Sequence, residues 1–121
     1  MNVLVWTGVV LIGGAGSVLR FYADGLVSAA GGRDFPYGTM VINISGAVIL
    51  GLLSGLALTP SQSLLLGTAA IGSYTTFSTW MLETQRLTEE RQYRKAVLNI
   101  IVSLALGIAA AALGRLIGMH L

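Results

Sequence analysis

Between Ser73 and Thr79 every residue except Phe77 carries a hydroxyl, so GSYTTFSTWM (72–81) packs six hydroxyls into seven positions. Its flanks, SLLLGTAAI before and LETQRL after, make it the middle of a segment long enough to cross a bilayer. Lipid offers no hydrogen-bond partner, so polarity there needs partners inside protein or a wet path. For one membrane serine or threonine, a bond back to the carbonyl four residues earlier suffices, and Ser45, Ser54 and Ser103 are read that way. Six together would compete with the helix's own ladder at successive turns, and Thr75, Thr76 and Thr79 are modest helix formers. With Gly67 and Gly72 just upstream, the pattern predicts a helix interrupted near its middle. An interruption leaves carbonyls free to ligate a cation, while the hydroxyls after it can turn donors toward an anion. The chemistry implied is contact with ions.

Two further polar residues fall in apolar runs. Asn43, in GTMVINISG, admits two readings: an interhelical hydrogen bond, or an amide donor on a permeation path. Arg20, at the end of the first run, either snorkels to the interface or gives positive potential to a pore entrance. No carboxylate is expected deep in a span, since Asp24 and Glu83 fall near the ends of their runs. His120 stands alone in the tail and is expected to be inert. There is no Ser/His/Asp set, no metal-ligand spacing and no pair of acids, so an enzyme is not expected. GGAGSVLR (13–20) lacks the lysine, the spacing and the preceding strand of a phosphate loop.

The elements that must position these groups follow from composition. The chain of 121 residues is 55% hydrophobic and only 10% charged, with a mean hydropathy of +0.80. A soluble domain carries about 25% charged residues, so the expected solvent is a bilayer. A net charge of +2, scattered along the chain, gives no footprint for nucleic acid. With no cysteine, disulfides and thiolate sites are excluded. The N-terminus lacks a basic n-region, so the first apolar run is read as a retained span rather than a signal peptide.

Four apolar runs approach the ~20 residues a spanning helix needs, which predicts a single all-α domain with spans near 3–22, 39–58, 64–87 and 96–118. SAAGGRDFPYG (28–38) separates the first two. LTPSQS (58–63) starts the third, with Thr59 as N-cap, Pro60 at the first helical position and Gln62 closing a capping box. ETQRLTEERQYRK (83–95) holds three of the five acids and four of the seven basic residues, and must lie outside hydrocarbon. Gly51-x-x-x-Gly55 and Gly114-x-x-x-Gly118 are spaced for close helix packing.

GTMVINISGAVILG, followed by GSYTTFSTWMLE, resembles the small bacterial fluoride channels of the Fluc or CrcB family. GSVLRF in the first helix and the glycine-rich fourth helix agree with this along nearly the whole chain. The resemblance implies an antiparallel, dual-topology dimer with two pores and a third helix broken near its middle. It implies a structural Na+ at the dimer centre, held by the carbonyls of Gly72 and Thr75. It places Phe77 and Trp80 as pore-lining aromatics with ring edges facing fluoride, beside Asn43, Thr76, Ser78 and Thr79, and puts Arg20 in the vestibule. The physics is coherent, because an aromatic ring is positive at its edge. Two departures stand out. Trp80 occupies a position where Phe is common and adds an indole N–H donor to the path. Gly107 and Ala111 stand where relatives often offer helix-4 hydroxyls.

The function implied is passive escape of cytoplasmic fluoride across a bacterial cell membrane. A small four-helix drug or cation transporter is the first alternative, but it needs an embedded carboxylate. A non-conducting membrane assembly protein is the second, and it has no use for an aromatic pair beside a broken helix. Arg33, Arg86, Arg91, Arg94 and Lys95 share one side of the membrane, with Arg20 near it, against Arg115 on the other. By the positive-inside rule this subunit has a preferred orientation, so its partner is either an identical copy or a second, different subunit inserted the other way.

Overall fold

The computed structural model describes residues 2–121. Helix α1 runs Val3–Gly31 and α2 runs Tyr37–Gly55. The third segment is composite: α3 (Pro60–Gln62), a π-helical stretch (Ser63–Ile71), α4 (Gly72–Tyr74), an extended break, then α5 (Ser78–Glu89). Helix α6 runs Tyr93–Met119, and no strand occurs among the described residues. Three helices, α1, α2 and α6, are long and apolar enough to cross a membrane. The third segment does not qualify as one continuous helix because it is broken where the hydroxyls cluster.

Several expected boundaries move. At 29 residues α1 is about 43 Å long, well past the expected end near residue 22. Arg20 therefore lies inside α1 rather than at its end. Asp24 is likewise enclosed by α1, and Glu83 sits in the middle of α5, so neither carboxylate is at a helix end. Arg94 and Lys95 form part of the first turn of α6 instead of the preceding loop. The capping box at Thr59 forms as expected: its hydroxyl accepts from Gln62 N–H, and the Gln62 side chain accepts from Thr59 N–H.

What holds the bundle together is close backbone approach, since little side-chain core exists. Ile42, Leu87 and Asn99 are the largest side chains that are fully buried. Large apolar residues face outward instead, with Phe21 at 82% and Leu4 at 78% exposure, an exterior suited to lipid or a second chain. The most extensive interface is α2 against α6. There Gly51 meets the carbonyl of Ala111, Gly55 that of Arg115, Gly114 that of Val48, and Gly118 that of Leu52. Each of these glycines faces a carbonyl of the opposite helix, so any side chain would strike backbone. On the other side of the bundle Gly16 of α1 lies against Ala70 O, where a Cβ would stand at 2.6 Å.

Beside α2, α1 contributes a charge. The N-terminus of α2 has no side-chain cap of its own, its N-cap being Pro36. The Asp24 carboxylate of α1 packs against Gly38 in the first turn of α2, where a negative group is favoured by the helix dipole.

Gly114→Val should separate α2 from α6, since the Val48 backbone cannot give way, at a cost of about 1–3 kcal/mol or more. Gly107, with nothing within 4 Å of an added Cβ, should accept alanine silently. Thermal unfolding of the two purified variants in detergent checks this, and equal melting temperatures would contradict it.

Candidate functional site

The break is built by diverting hydrogen bonds. In a continuous helix the Thr76 N–H would bond to the Gly72 carbonyl and the Thr79 N–H to the Thr75 carbonyl. Here Thr76 N–H donates to Asn43 Oδ1 at 2.8 Å, and Thr79 N–H donates to Thr76 Oγ1 at 3.2 Å. Asn43 Nδ2 donates in return to the Thr76 carbonyl, also at 2.8 Å. One amide of α2 thus satisfies both backbone groups of the residue at the centre of the break. Thr75, with φ −82° and ψ 162°, is extended. Its methyl packs against Gly46 of α2, where a larger residue would push it away.

The interhelical reading of Asn43 is thus the observed one, although one Nδ2 hydrogen is left over for another acceptor. Thr76 is buried, and its hydroxyl is a hub: it donates to Thr79 Oγ1 at 3.2 Å and lies 3.4 Å from Ser78 Oγ. Two recesses meet at this residue. One, of about 290 Å3, is lined by Asn43, Thr75, Thr76, Phe77 and Trp80. The other, of about 240 Å3, is lined by Arg20, Asp24, Thr39, Thr76 and Thr79. The expected residues are therefore brought to one break but divided between its two sides. Ser78 is exposed and lines neither recess. Gly72 and Thr75 face a third, larger and mostly apolar groove of about 420 Å3.

Phe77 and Trp80 meet edge to face, with centroids 5.8 Å apart and planes at 86°. Phe77 is 70% exposed, an unusual position for a ring unless something outside this chain covers it. The indole N–H of Trp80 is not available to the recess, contrary to expectation: it donates to the Asn99 carbonyl of α6 at 3.0 Å. Asn99, fully buried, was missed by the sequence reading, although an amide in the apolar run AVLNIIVS is the same signal that singled out Asn43. Thr39 was missed too; its hydroxyl donates to the Glu83 carboxylate beside the Arg20 recess.

The lone serines behave differently from one another. Ser45 and Ser54 bond to carbonyls three residues back, those of Ile42 and Gly51, and Ser45 also pairs with the Tyr74 hydroxyl at 3.0 Å. Ser103 does not back-bond as expected; its hydroxyl is buried without a partner. On α6, Gly107 faces open space and the Ala111 carbonyl is packed on Gly51, so this helix brings no hydroxyl to either recess at those positions.

Asn43→Leu keeps the volume but strands the N–H and carbonyl of Thr76, at about 1–3 kcal/mol each. It should lower the melting temperature clearly, whereas Ser54→Ala, which removes only a bond within α2, should change stability by about 0.5 kcal/mol or less. Similar melting curves for both would contradict the role given to Asn43.

The comparisons with known proteins agree with the resemblance. Residues 7–115 match the family model described as CrcB-like protein, Camphor Resistance (CrcB). The chain is 63% identical over 114 residues to a protein of Mycolicibacterium paratuberculosis named fluoride-specific ion channel FluC 2, covering 94% of this chain and 93% of that one. It is 42% identical over 122 aligned positions to fluoride-specific ion channel FluC 1 of Leifsonia xyli subsp. xyli, covering 98% and 89%. With fluoride-specific ion channel FluC of Coxiella burnetii it shares 40% identity over 130 aligned positions, covering the whole of both chains. The helices long enough to span a bilayer and relatives named as ion channels make this a membrane protein. Matched along nearly its full length, from the first helix into the last, the chain belongs to the CrcB-like family.

Proposed function

We propose that this chain is a subunit of a fluoride-selective channel through which cytoplasmic fluoride leaves a bacterial cell passively. The observation that carries the reading is the edge-to-face Phe77–Trp80 pair beside a helix break pinned by Asn43. Aromatic edges, a leftover amide hydrogen and the hydroxyl hydrogen that Thr79 keeps together replace part of the water around a small anion. None of them is a full charge, so an ion held there can also leave. Arg20, in the adjoining recess with Asp24, Thr76 and Thr79, makes no ion pair among the described residues, so its guanidinium is free to meet an anion.

The pore is completed by a second subunit inserted antiparallel, giving a dual-topology dimer with two pores. The exposed Phe77 and the outward apolar faces support this, because neither ring nor face is covered within one chain. The residues also fit a structural Na+ at the dimer centre. The hydrogen bonds diverted to Asn43 and to Thr76 Oγ1 are the two that would otherwise engage the carbonyls of Gly72 and Thr75. Bare carbonyls at a broken membrane helix are good ligands for such a cation. The basic residues Arg33, Arg86 and Arg91 and the first turn of α6 orient this subunit with that end in the cytoplasm. Its partner is an identical copy or a paired, different subunit, and the second arrangement would supply helix-4 hydroxyls that Gly107 and Ala111 lack.

A carboxylate-driven cation exchanger is disfavoured by placement. Asp24 shares its recess with Arg20, and Glu83 shares another with Arg33 and Arg86, so a guanidinium opposes cation binding at each.

Liposomes containing the purified protein should release fluoride and hold chloride. Phe77→Ile, which removes the ring edge but roughly keeps the volume, should cut fluoride release about tenfold or more while the protein still elutes as an assembled species. An ion-selective electrode reads both. Equal release of the two halides contradicts the reading, and undiminished flux in Phe77→Ile would make the ring mere packing.

A further inference from the structure

Helix α6 brings no hydroxyl to the recesses at positions 107 and 111, yet it reaches the aromatic pair by another route. Trp80 Nε1–H donates to the main-chain carbonyl of Asn99 at 3.0 Å, and the Asn99 side chain turns back to the same residue. Asn99 Nδ2 donates to Thr84 Oγ1 at 2.9 Å, and that hydroxyl donates to the Trp80 carbonyl at 2.9 Å. The three bonds close a ring that returns to the residue where it began. A second, longer contact runs from Asn99 Nδ2 to the Trp80 carbonyl at 3.5 Å. Asn99 is 1% exposed and Thr84 8%, so no water stands ready to replace either partner, and buried polar networks of this kind hold a single geometry.

We propose that Asn99, with Thr84, is a positioning residue for the Trp80 ring in the ion path, an inference that rests on the channel reading: the two side chains pin the Trp80 main chain to α6 at the register in which the indole reaches the main-chain carbonyl of residue 99. With the pyrrole N–H edge held on α6, the C–H edges are what Trp80 has left to present to the recess. Trp80 therefore works as a tethered phenylalanine. The N–H that sets it apart from Phe serves to fix the ring rather than to bind the ion. Phe77 depends on the same tether, because its ring is highly exposed and meets the Trp80 ring at 86°. A phenylalanine at position 80 would lack this bond, so the tether and the tryptophan belong together.

A double-mutant cycle on fluoride efflux from liposomes separates this role from general support of the fold. Asn99→Leu keeps the main-chain acceptor of the indole but releases the Trp80 main chain; it should lower efflux about tenfold in the parent chain, and by less than about threefold on the Trp80→Phe background, where no indole N–H depends on that register. The same fold-loss on both backgrounds overturns the proposal. Thr84→Val removes the middle of the ring and should show the same dependence on Trp80, which keeps the test available if Asn99→Leu does not assemble. The second readout needs no flux. The chain has two tryptophans, so Trp6→Phe with 5-fluorotryptophan leaves one fluorine signal, on Trp80. That signal should be a single narrow line that broadens or splits when Asn99→Leu or Thr84→Val is added. A line unchanged by both substitutions overturns the tether. A parent protein without fluoride efflux would overturn the channel reading instead, and the fluorine spectrum would then decide the tether alone.

Discussion

The pairing of one asparagine side chain with one backbone residue organises the candidate site. Asn43 accepts from and donates to the two backbone groups of Thr76, at 2.8 Å each. A helix cannot be broken in a bilayer unless the groups it releases find new partners. Asn43 supplies them for the residue at the centre of the break and, by taking the Thr76 N–H, leaves the Gly72 carbonyl without its helical donor. The Thr76 hydroxyl does the same one turn later, taking the Thr79 N–H from the Thr75 carbonyl. Two local substitutions of partner produce a three-residue break at 75–77, in which Thr75 is extended and Phe77 already has helical angles. Around it three recesses meet, each offering a different kind of group.

The rest of the bundle exists to keep Asn43 at that height beside the break. Its helix is fixed from behind by the glycine seam with α6, where backbone meets backbone along two turns. Ahead of the seam, Gly46 admits the Thr75 methyl. Helix α6 is thus coupled to the site twice, through α2 to Asn43 and through Asn99 to Trp80. A chain with so few fully buried side chains depends on such close approaches because it cannot depend on a core. Its outward apolar surface suits contact with lipid or a second chain.

Much of this was legible from residue types alone. A hydroxyl run in an apolar segment announced the break, and the glycine spacings announced close helix packing, though not that α2 and α6 are the pair. Thr59, Pro60 and Gln62 specified their helix start fully, since a capping box is local and needs no tertiary context. Partners distant in sequence were harder to see. Asn43 left two readings open because only the fold decides which backbone an amide meets. Asn99 carried the same signal as Asn43 and went unread, since an isolated amide says nothing of the Thr84 hydroxyl, 15 residues away, to which it donates. The length of α1 was underestimated because Arg20 and Asp24 read as a helix end in an apolar stretch. Inside the bundle, each charge faces polar neighbours across a recess, and the helix continues past both.

The central claim is that Asn43, by holding the break open, turns the Gly72 and Thr75 carbonyls into ligands for the proposed sodium ion. Carbonyl 13C shifts of glycine- and threonine-labelled protein in liposomes, read in sodium and again in a bulky organic cation, test it most directly. The Gly72 and Thr75 signals should move between the two conditions, and Asn43→Leu should abolish the movement. Signals that do not respond to sodium in the parent protein, or that respond equally without Asn43, would contradict it.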